Sequence, residues 1–234
     1  MQASCVILNV EILAKRVIIA LLSCSLLGAQ RLSDFTTTHT PLPAGATLVI
    51  GFLGGFESWN DEHRSVRQLV LKLRDRPGVY AESIANRRRK VAMTLIRRAR
   101  PARIILFGQS WGGAAVVDTA RDLQRRGIPV LLTIQVDSVG RHDAVIPANV
   151  RKAVNFYQHD PLTIQGRREI RAADPSKTQI LGNFKFSYPP GIEENPNASL
   201  ARRTLGGSHA KMELDPAVWN QVEQYISGAL AGRD

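Results

Sequence analysis

The pentapeptide Gly108-Gln109-Ser110-Trp111-Gly112 places one serine between two glycines. It fits the pattern G-x-S-x-G, in which glycines permit a sharp turn and the serine hydroxyl projects clear of the backbone. A serine hydroxyl attacks a carbonyl carbon when a neighbouring base removes its proton, and histidine is the usual base. The pentapeptide alone is a weak signal, because short patterns of Gly and Ser recur by chance. The elements around Ser110 therefore decide whether it is a nucleophile.

Those elements have the required character. The run RIILFG at 103–108 is apolar and predicts a buried strand, and GGAAVVDTARDLQRRG at 112–127 predicts a helix that ends at Gly127. The small residues at 113–115 would let this helix approach the sheet closely. A strand, a tight turn and a helix in this order form the structural context that the pattern demands. We therefore predict that Ser110 is a nucleophile.

His209 is the predicted base. The stretch GGSHAKMELDPAV at 206–218 lies between the last predicted strand and the last predicted helix, and we expect it to be a loop that carries the imidazole to the serine. The remaining histidines lie in the polar N-terminal segment, on a polar helix face or directly after strands: His39, His63, His142 and His159.

Three aspartates compete for the role of the carboxylate that orients the base. The carboxyl ends of parallel strands gather the functional side chains of open α/β sheets. Asp137 directly follows the well-formed strand VLLTIQV and is the first choice. Asp160, after the next strand, is the alternative, and Asp143 in GRHDAV is the third candidate.

An oxyanion that forms during acyl transfer needs backbone N–H donors held in place. One donor is expected at Trp111, the residue after the nucleophile. The second is expected in GFLGGFESWND at 51–61, where glycines let the backbone approach a ligand. Phe52 is the first choice for this donor and Leu53 the second.

Apolar runs and amphipathic runs alternate along residues 47–234, which predicts one α/β domain with a mostly parallel sheet and helices on both faces. The long irregular region 183–208 is a possible cover of the substrate site. The predicted strands are 47–52, 79–84, 103–108, 130–136, 152–158 and 178–186. The predicted helices are 61–75, 87–99, 112–127 and the C-terminal run from Asp215.

The N-terminal residues 1–30 have the order of a signal peptide or membrane-anchoring segment: Lys15 and Arg16, the apolar run 17–27, then small residues. We therefore expect an exported protein that is periplasmic, secreted or lipid-anchored, with Cys24 as the acylation site in the last case. A later translation start or a buried N-terminal helix in a cytoplasmic protein is the alternative. Residues 31–46 are polar with Pro and Gly and are expected to form a linker.

The composition indicates which classes of partner the protein can bind. The formal net charge is +11, which favours anionic partners, and we expect an anionic membrane surface among them. No nucleic-acid-binding module is recognisable, and no feature indicates an obligate protein partner. Both cysteines lie in residues 1–30, so the domain has no disulfide framework or cysteine metal cluster.

The glycine-rich loop at 51–55, the GQSWGG turn and the chain order Ser110, Asp137, His209 resemble the α/β-hydrolase superfamily over most of residues 47–230. The minimal bacterial esterases and lipases are the most similar members. The resemblance implies a three-layer α/β sandwich and hydrolysis of small-molecule or lipid acyl esters through an acyl-enzyme, without a cofactor or metal. A thioesterase, an amidase, an acyltransferase or a non-catalytic binding protein on the same fold is the alternative. The chain has Ile50-Gly51 where the superfamily usually has His-Gly. We also expect the first two strands of the full fold to be absent, so that the sheet begins at the predicted strand 47–52.

Overall fold

The structure is a computed structural model that describes residues 31–55, 57–161, 164–188 and 207–232. The expected targeting segment 1–30 and most of the expected cover lie outside these ranges. The chain divides into two compact units. In the unit 1–34 the described residues form a 3₁₀ turn, Leu32–Asp34. No helix in the described ranges is long and apolar enough to cross a membrane.

The unit 35–234 is built on a parallel sheet. Six of its described strands pair in the order β2-β1-β3-β4-β6-β8, and every pair is parallel. Two short strands, β5 and β7, pair separately. The strands are β1 (Thr47–Leu53), β2 (Val79–Ala85), β3 (Arg103–Gln109), β4 (Val130–Val136), β5 (Val145–Ile146), β6 (Val150–Gln158), β7 (Arg171–Ala172) and β8 (Gln179–Phe186). Because the six strands run in the same direction, their carboxyl ends all reach the same edge of the sheet.

Helices cover both faces of this sheet, as the alternating pattern predicts. Helix α1 packs beside α5 on one face, and α2 packs beside α3 on the other. The helices are α1 (Ser65–Arg74), α2 (Arg89–Ala99), α3 (Trp111–Gln124), α4 (Gly207–Leu214) and α5 (Pro216–Leu230). The central strands are buried on both faces, which explains why β1 reads as a nearly continuous apolar run instead of an alternating one.

The central strands therefore contribute side chains to a hydrophobic core on each face of the sheet. The face under α1 and α5 holds one large cluster to which every other residue of β3, β4 and β6 contributes. Its strand residues include Ile105, Phe107, Leu132, Ile134, Val136, Val154 and Phe156. Phe107 meets Trp219 of α5 edge to face, with ring centroids 6.5 Å apart. This packing fixes β3, whose last residue precedes the serine turn.

Residues 35–46, for which a linker was expected, carry buried side chains and belong to the unit 35–234. The Glu82 carboxylate of β2 is completely buried and accepts hydrogen bonds from the amides and hydroxyls of Thr37 and Thr38. Arg74 of α1 pairs with the second oxygen of this carboxylate at 2.8 Å. A buried carboxylate is tolerated only with such compensation. Four of these hydrogen bonds come from Thr37 and Thr38 and hold the segment against β2.

Candidate active site

Ser110 occupies a strained turn between β3 and α3. Its backbone has φ 56° and ψ −126°, in a region that non-glycine residues rarely enter. Its amide donates to Val136 O at 2.9 Å, which holds the turn against the end of β4. A Cβ on Gly112 would clash with Phe52 O, and one on Gly108 would lie 2.5 Å from the Gly112 backbone. Both glycines of the pentapeptide are therefore required by close backbone approach.

His209 lies within reach of this serine. Its Nε2 is 3.0 Å from Ser110 Oγ, and its Nδ1 is 2.6 Å from Asp137 Oδ2. An ionised carboxylate only accepts hydrogen bonds, so Nδ1 carries the proton and Nε2 presents a lone pair to the hydroxyl. The expected loop is wrong in one respect: residues 207–214 form helix α4, and His209 lies in its first turn.

Asp137 is completely buried and is surrounded by donors. Its Oδ1 accepts from the amides of Gly166 at 2.9 Å and Gln158 at 3.3 Å. Its Oδ2 accepts from the Gln158 side-chain amide at 2.9 Å and from His209. Donors on both oxygens fix the orientation of the carboxylate. A Cβ on Gly166 would clash with Asp137 atoms, so the approach depends on that glycine.

The other two aspartates bind elsewhere. Asp160 Oδ2 accepts a hydrogen bond from Ser208 Oγ at 2.8 Å, one residue before the histidine. Asp143 accepts from Ser138 Oγ at 2.6 Å and from Arg167 Nε at 2.9 Å. Of the three sequence candidates, the structure brings only Asp137 into contact with the His209 ring.

The two candidate donors at the end of β1 differ in their surroundings. Phe52 pairs with Ile84 of β2 and with Gly108 of β3, whereas Leu53 pairs only with Ala85 of β2. Leu53 is therefore the first residue of β1 whose β3 side is open toward the serine turn. The glycine loop that follows passes close to it, since a Cβ on Gly54 would lie 3.1 Å from Ser110 Cβ.

Asn86 holds this glycine loop in place. Its side-chain amide donates to Leu53 O at 3.1 Å and to Gly55 O at 2.5 Å. Asn86 directly follows β2, the strand beside β1, and so stands at the same sheet edge. The sequence analysis did not single it out; its position two residues after the predicted strand 79–84 was the available signal.

A second group that the sequence analysis missed is a set of carboxyl groups around Arg64, at the start of α1. Arg64 Nη1 lies 3.4 Å from Glu57 Oε1 and 3.5 Å from Glu213 Oε1, while its Nε lies 2.9 Å from Asp61 Oδ2. Glu57 follows the glycine loop, and Glu213 lies one helical turn after His209 in α4. The spacing of four residues between His209 and Glu213 was the available sequence signal.

Burial dominates the electrostatics of this group. It raises the pKa of the Glu57 carboxyl from 4.5 to about 7, although Arg64, the Gly54 backbone and His209 act to lower it. Burial, followed by the negative charge of Glu57, raises the pKa of Glu213 from 4.5 to about 8, against Arg64 and His209. Both pKa shifts favour the neutral carboxyl group. His209 is therefore close to two acids whose protonation changes near pH 7 and pH 8.

Two large apolar side chains are exposed at the same sheet edge. Trp111, directly after the serine, is 44% exposed, and Ile164, in the segment that precedes the Asp137 contact at Gly166, is 52% exposed. Within the described ranges, no group of three His, Cys, Asp or Glu residues is placed to hold a metal ion.

No protein-family model and no curated protein matches the sequence. Among solved structures, human thioesterase 2 is similar at a TM-score of 0.44 and 10% identity, over 81% of this chain and 98% of that chain. The type II thioesterase BorB from the borrelidin biosynthetic cluster is similar at a TM-score of 0.38 and 11% identity, over 67% of this chain and 89% of that chain.

The fold class rests on the topology of the chain itself. A parallel sheet lies between two helical layers, and a serine stands on the strained turn between a central strand and the following helix. An aspartate follows the next strand, and a histidine lies after the last strand of the sheet. The protein has the α/β-hydrolase fold, as the sequence predicts.

Proposed function

We propose that the protein is a serine hydrolase that cleaves carboxylic (acyl) esters through an acyl-enzyme. The single observation that supports this function is the continuous hydrogen-bonded chain from Asp137 through His209 to Ser110. Asp137 directly follows β4, His209 lies in α4, and Ser110 stands on the strained β3–α3 turn. Strain of this kind persists where a reaction uses it.

In the proposed first step, His209 Nε2 accepts the Ser110 Oγ proton while Oγ bonds to the ester carbonyl carbon. The carbonyl oxygen becomes an oxyanion. The imidazolium then gives its proton to the alcohol oxygen as the bond between that oxygen and the acyl carbon breaks. Asp137 holds the Nδ1 proton throughout and stabilises the imidazolium.

The second step is the reverse process with water. Water loses a proton to His209 Nε2 and attacks the acyl carbon. The tetrahedral intermediate collapses as the proton returns to Ser110 Oγ, which releases the carboxylic acid and regenerates the enzyme. No metal or organic cofactor takes part in this proposal.

The oxyanion would be bound by two backbone amides. Trp111 is the first residue of α3, where amide groups point out of the helix start and the helix dipole favours negative charge. For the second amide, the strand register favours Leu53 over Phe52, because Phe52 has strands on both sides. The sequence ranked these two residues in the opposite order.

A fluorophosphonate probe tests the proposal, because it phosphonylates only an activated serine. The wild-type protein should be labelled, and Ser110→Ala should not be. Ser176→Ala, which removes an exposed hydroxyl bound to Asp174, is the matched control and should label normally. Labelling that survives in Ser110→Ala would refute the assignment of the nucleophile. A panel of p-nitrophenyl esters and acyl thioesters then separates an esterase from a thioesterase.

We extend the proposal to an anionic membrane surface as a docking partner. Arg87 and Lys90 are exposed and follow β2, so they stand at the sheet edge that carries the serine turn. The exposed Trp111 and Ile164 belong to the same edge. Basic side chains beside apolar ones suit the surface of an anionic bilayer, where ester groups of lipids are concentrated.

A further inference from the structure

The proposed reaction leaves two buried carboxyl groups, Glu57 and Glu213, without a role. Glu57 belongs to the segment that follows the glycine loop, and its carboxyl is bound by the Gly54 backbone. Glu213 belongs to α4, which carries His209. Residues four apart on a helix project from the same side, so Glu213 and His209 share one face of α4. The two acids therefore belong to the two separate pieces of chain that flank Ser110.

The two carboxyl groups converge on one atom. Arg64 Nη1 is 3.4 Å from Glu57 Oε1 and 3.5 Å from Glu213 Oε1, so these two oxygens are less than about 7 Å apart. Asp61 fixes the same guanidinium through Nε. The backbone at Glu213 is equally fixed, because its carbonyl accepts from Ser65 Oγ and from Trp219 Nε1, each at 2.6 Å.

The charges in this group do not balance when every acid is ionised. The charged or titratable groups that act on the pair are Asp61, Arg64 and His209. One guanidinium faces three carboxyl groups. Two carboxylates that share a buried site do not both ionise easily, and one of them keeps a proton.

We propose that Glu57 and Glu213 share one proton over Arg64, and that this pair positions the glycine loop beside Ser110 against the helix that carries His209. Loss of the shared proton leaves two carboxylates that repel each other. Repulsion separates the loop from α4, and the serine, the imidazole and the oxyanion donors lose their alignment. The effect on rate rests on the proposed function, whereas the existence of the pair does not.

As the pair loses its proton with rising pH, both the free energy of unfolding and the activity should fall. The folded state raises both pKa values above the ordinary 4.5, to about 7 and about 8, so it binds more protons than the unfolded chain between these limits. The free energy of unfolding therefore falls as pH rises through this window. Activity should fall over the upper part of the same window, which gives an alkaline limb in the pH profile of kcat/KM.

The first experiment measures kcat/KM for a p-nitrophenyl ester against pH in the wild type, Glu57→Gln and Glu213→Gln. Glutamine keeps an acceptor oxygen for Arg64 and cannot ionise, so each variant should move the alkaline limb upward by about one pH unit or more. Glu223→Gln is the matched control, because Glu223 pairs with Lys72 and Arg76 away from the site and should leave the profile unchanged.

The outcomes are distinct. An unchanged alkaline limb in the Gln variants would overturn the inference, and so would a loss of activity by the same factor at every pH, which indicates a purely structural role. If Glu213→Gln does not fold, Glu57→Gln, at the more exposed position, decides the matter.

A second measurement does not depend on catalysis. The Tm of Ser110→Ala should fall between pH 5 and pH 9, and the fall should be smaller in Ser110→Ala/Glu213→Gln. Equal falls in the two proteins would overturn the shared proton even if the enzyme is active. An absence of fluorophosphonate labelling in the wild type would instead refute the proposed function and leave this test intact.

Discussion

Replacing Asp137 with asparagine exchanges one oxygen for an NH₂ group at a point where four donors converge. The amides of Gly166 and Gln158 face one oxygen, and the Gln158 side chain and His209 face the other. The backbone donors cannot reorient, so the asparagine oxygen should stay with them. The new NH₂ group then faces the imidazole Nδ1, and a donor in that place requires Nδ1 to lose its proton.

The magnitude follows from the tautomer. With its proton moved to Nε2, His209 presents a donor to Ser110 Oγ at a distance of 3.0 Å and cannot accept the hydroxyl proton. The equivalent change in a serine protease triad lowers kcat by about 10⁴-fold, which corresponds to roughly 5.5 kcal/mol of transition-state stabilisation. We expect a loss of this order in kcat for Asp137→Asn. KM should change little, because the carboxylate is buried away from the substrate.

The assay is hydrolysis of a p-nitrophenyl ester from pH 5 to pH 10, with a thermal melt to show that each variant is folded. Asp160→Asn and Asp143→Asn are the matched controls. The Asp160 partner is the Ser208 hydroxyl, to which an asparagine oxygen can still bind, so we expect a loss below about tenfold. If Asp137→Asn keeps activity within about tenfold of the wild type, or if Asp160→Asn is the more damaging change, the reasoning is wrong.

The remaining predictions concern the supports of the site and its surroundings. Gly166→Ala should clash with Asp137 and lower both activity and Tm, and a variant with wild-type values for both would contradict the close approach. Asn86→Ala removes two hydrogen bonds to the glycine loop and should lower kcat by about tenfold at unchanged KM; a change in KM alone would contradict a role in oxyanion binding. Arg87→Glu/Lys90→Glu should weaken sedimentation with phosphatidylglycerol vesicles at low salt, and equal sedimentation of both proteins would remove the membrane proposal.

The sequence was sufficient for the parts of the fold that follow from periodicity. Apolar β-branched runs predicted the strands that became β1, β3 and β4, and the helix predicted over 112–127 is observed as Trp111–Gln124. The rank of Asp137 over Asp160 depended on its position directly after a well-formed strand. In the structure that strand is the neighbour of β3, which explains why this aspartate reaches the histidine.

Helix α4 could not be predicted in the same way. The stretch GGSHAKMEL begins with two glycines and contains only eight helical residues, too few for an apolar period to emerge. The helix is stabilised by tertiary contacts: Met212 is completely buried, and the Glu213 carbonyl accepts from α1 and α5. The contact with Ser65 joins residues 148 positions apart, and a contact over such a distance leaves no local pattern. For the same reason the pairing of Arg64 with Glu213 could not be predicted.

Residues at the ends of both strands that follow the serine turn, β4 and β6, help to orient the base. Residue Asp137, at the end of β4, supplies the carboxylate, whereas Gln158, at the end of β6, supplies two of the donors that hold it. Asp160, two residues further on, binds Ser208 and so holds the start of the helix that carries the imidazole. If Asp160 were the acid that orients His209, the start of α4 would therefore need another support. The double variant Asp137→Asn/Gln158→Glu should not recover activity, because a glutamate at this position cannot donate to Ile164 O as the Gln158 side chain does.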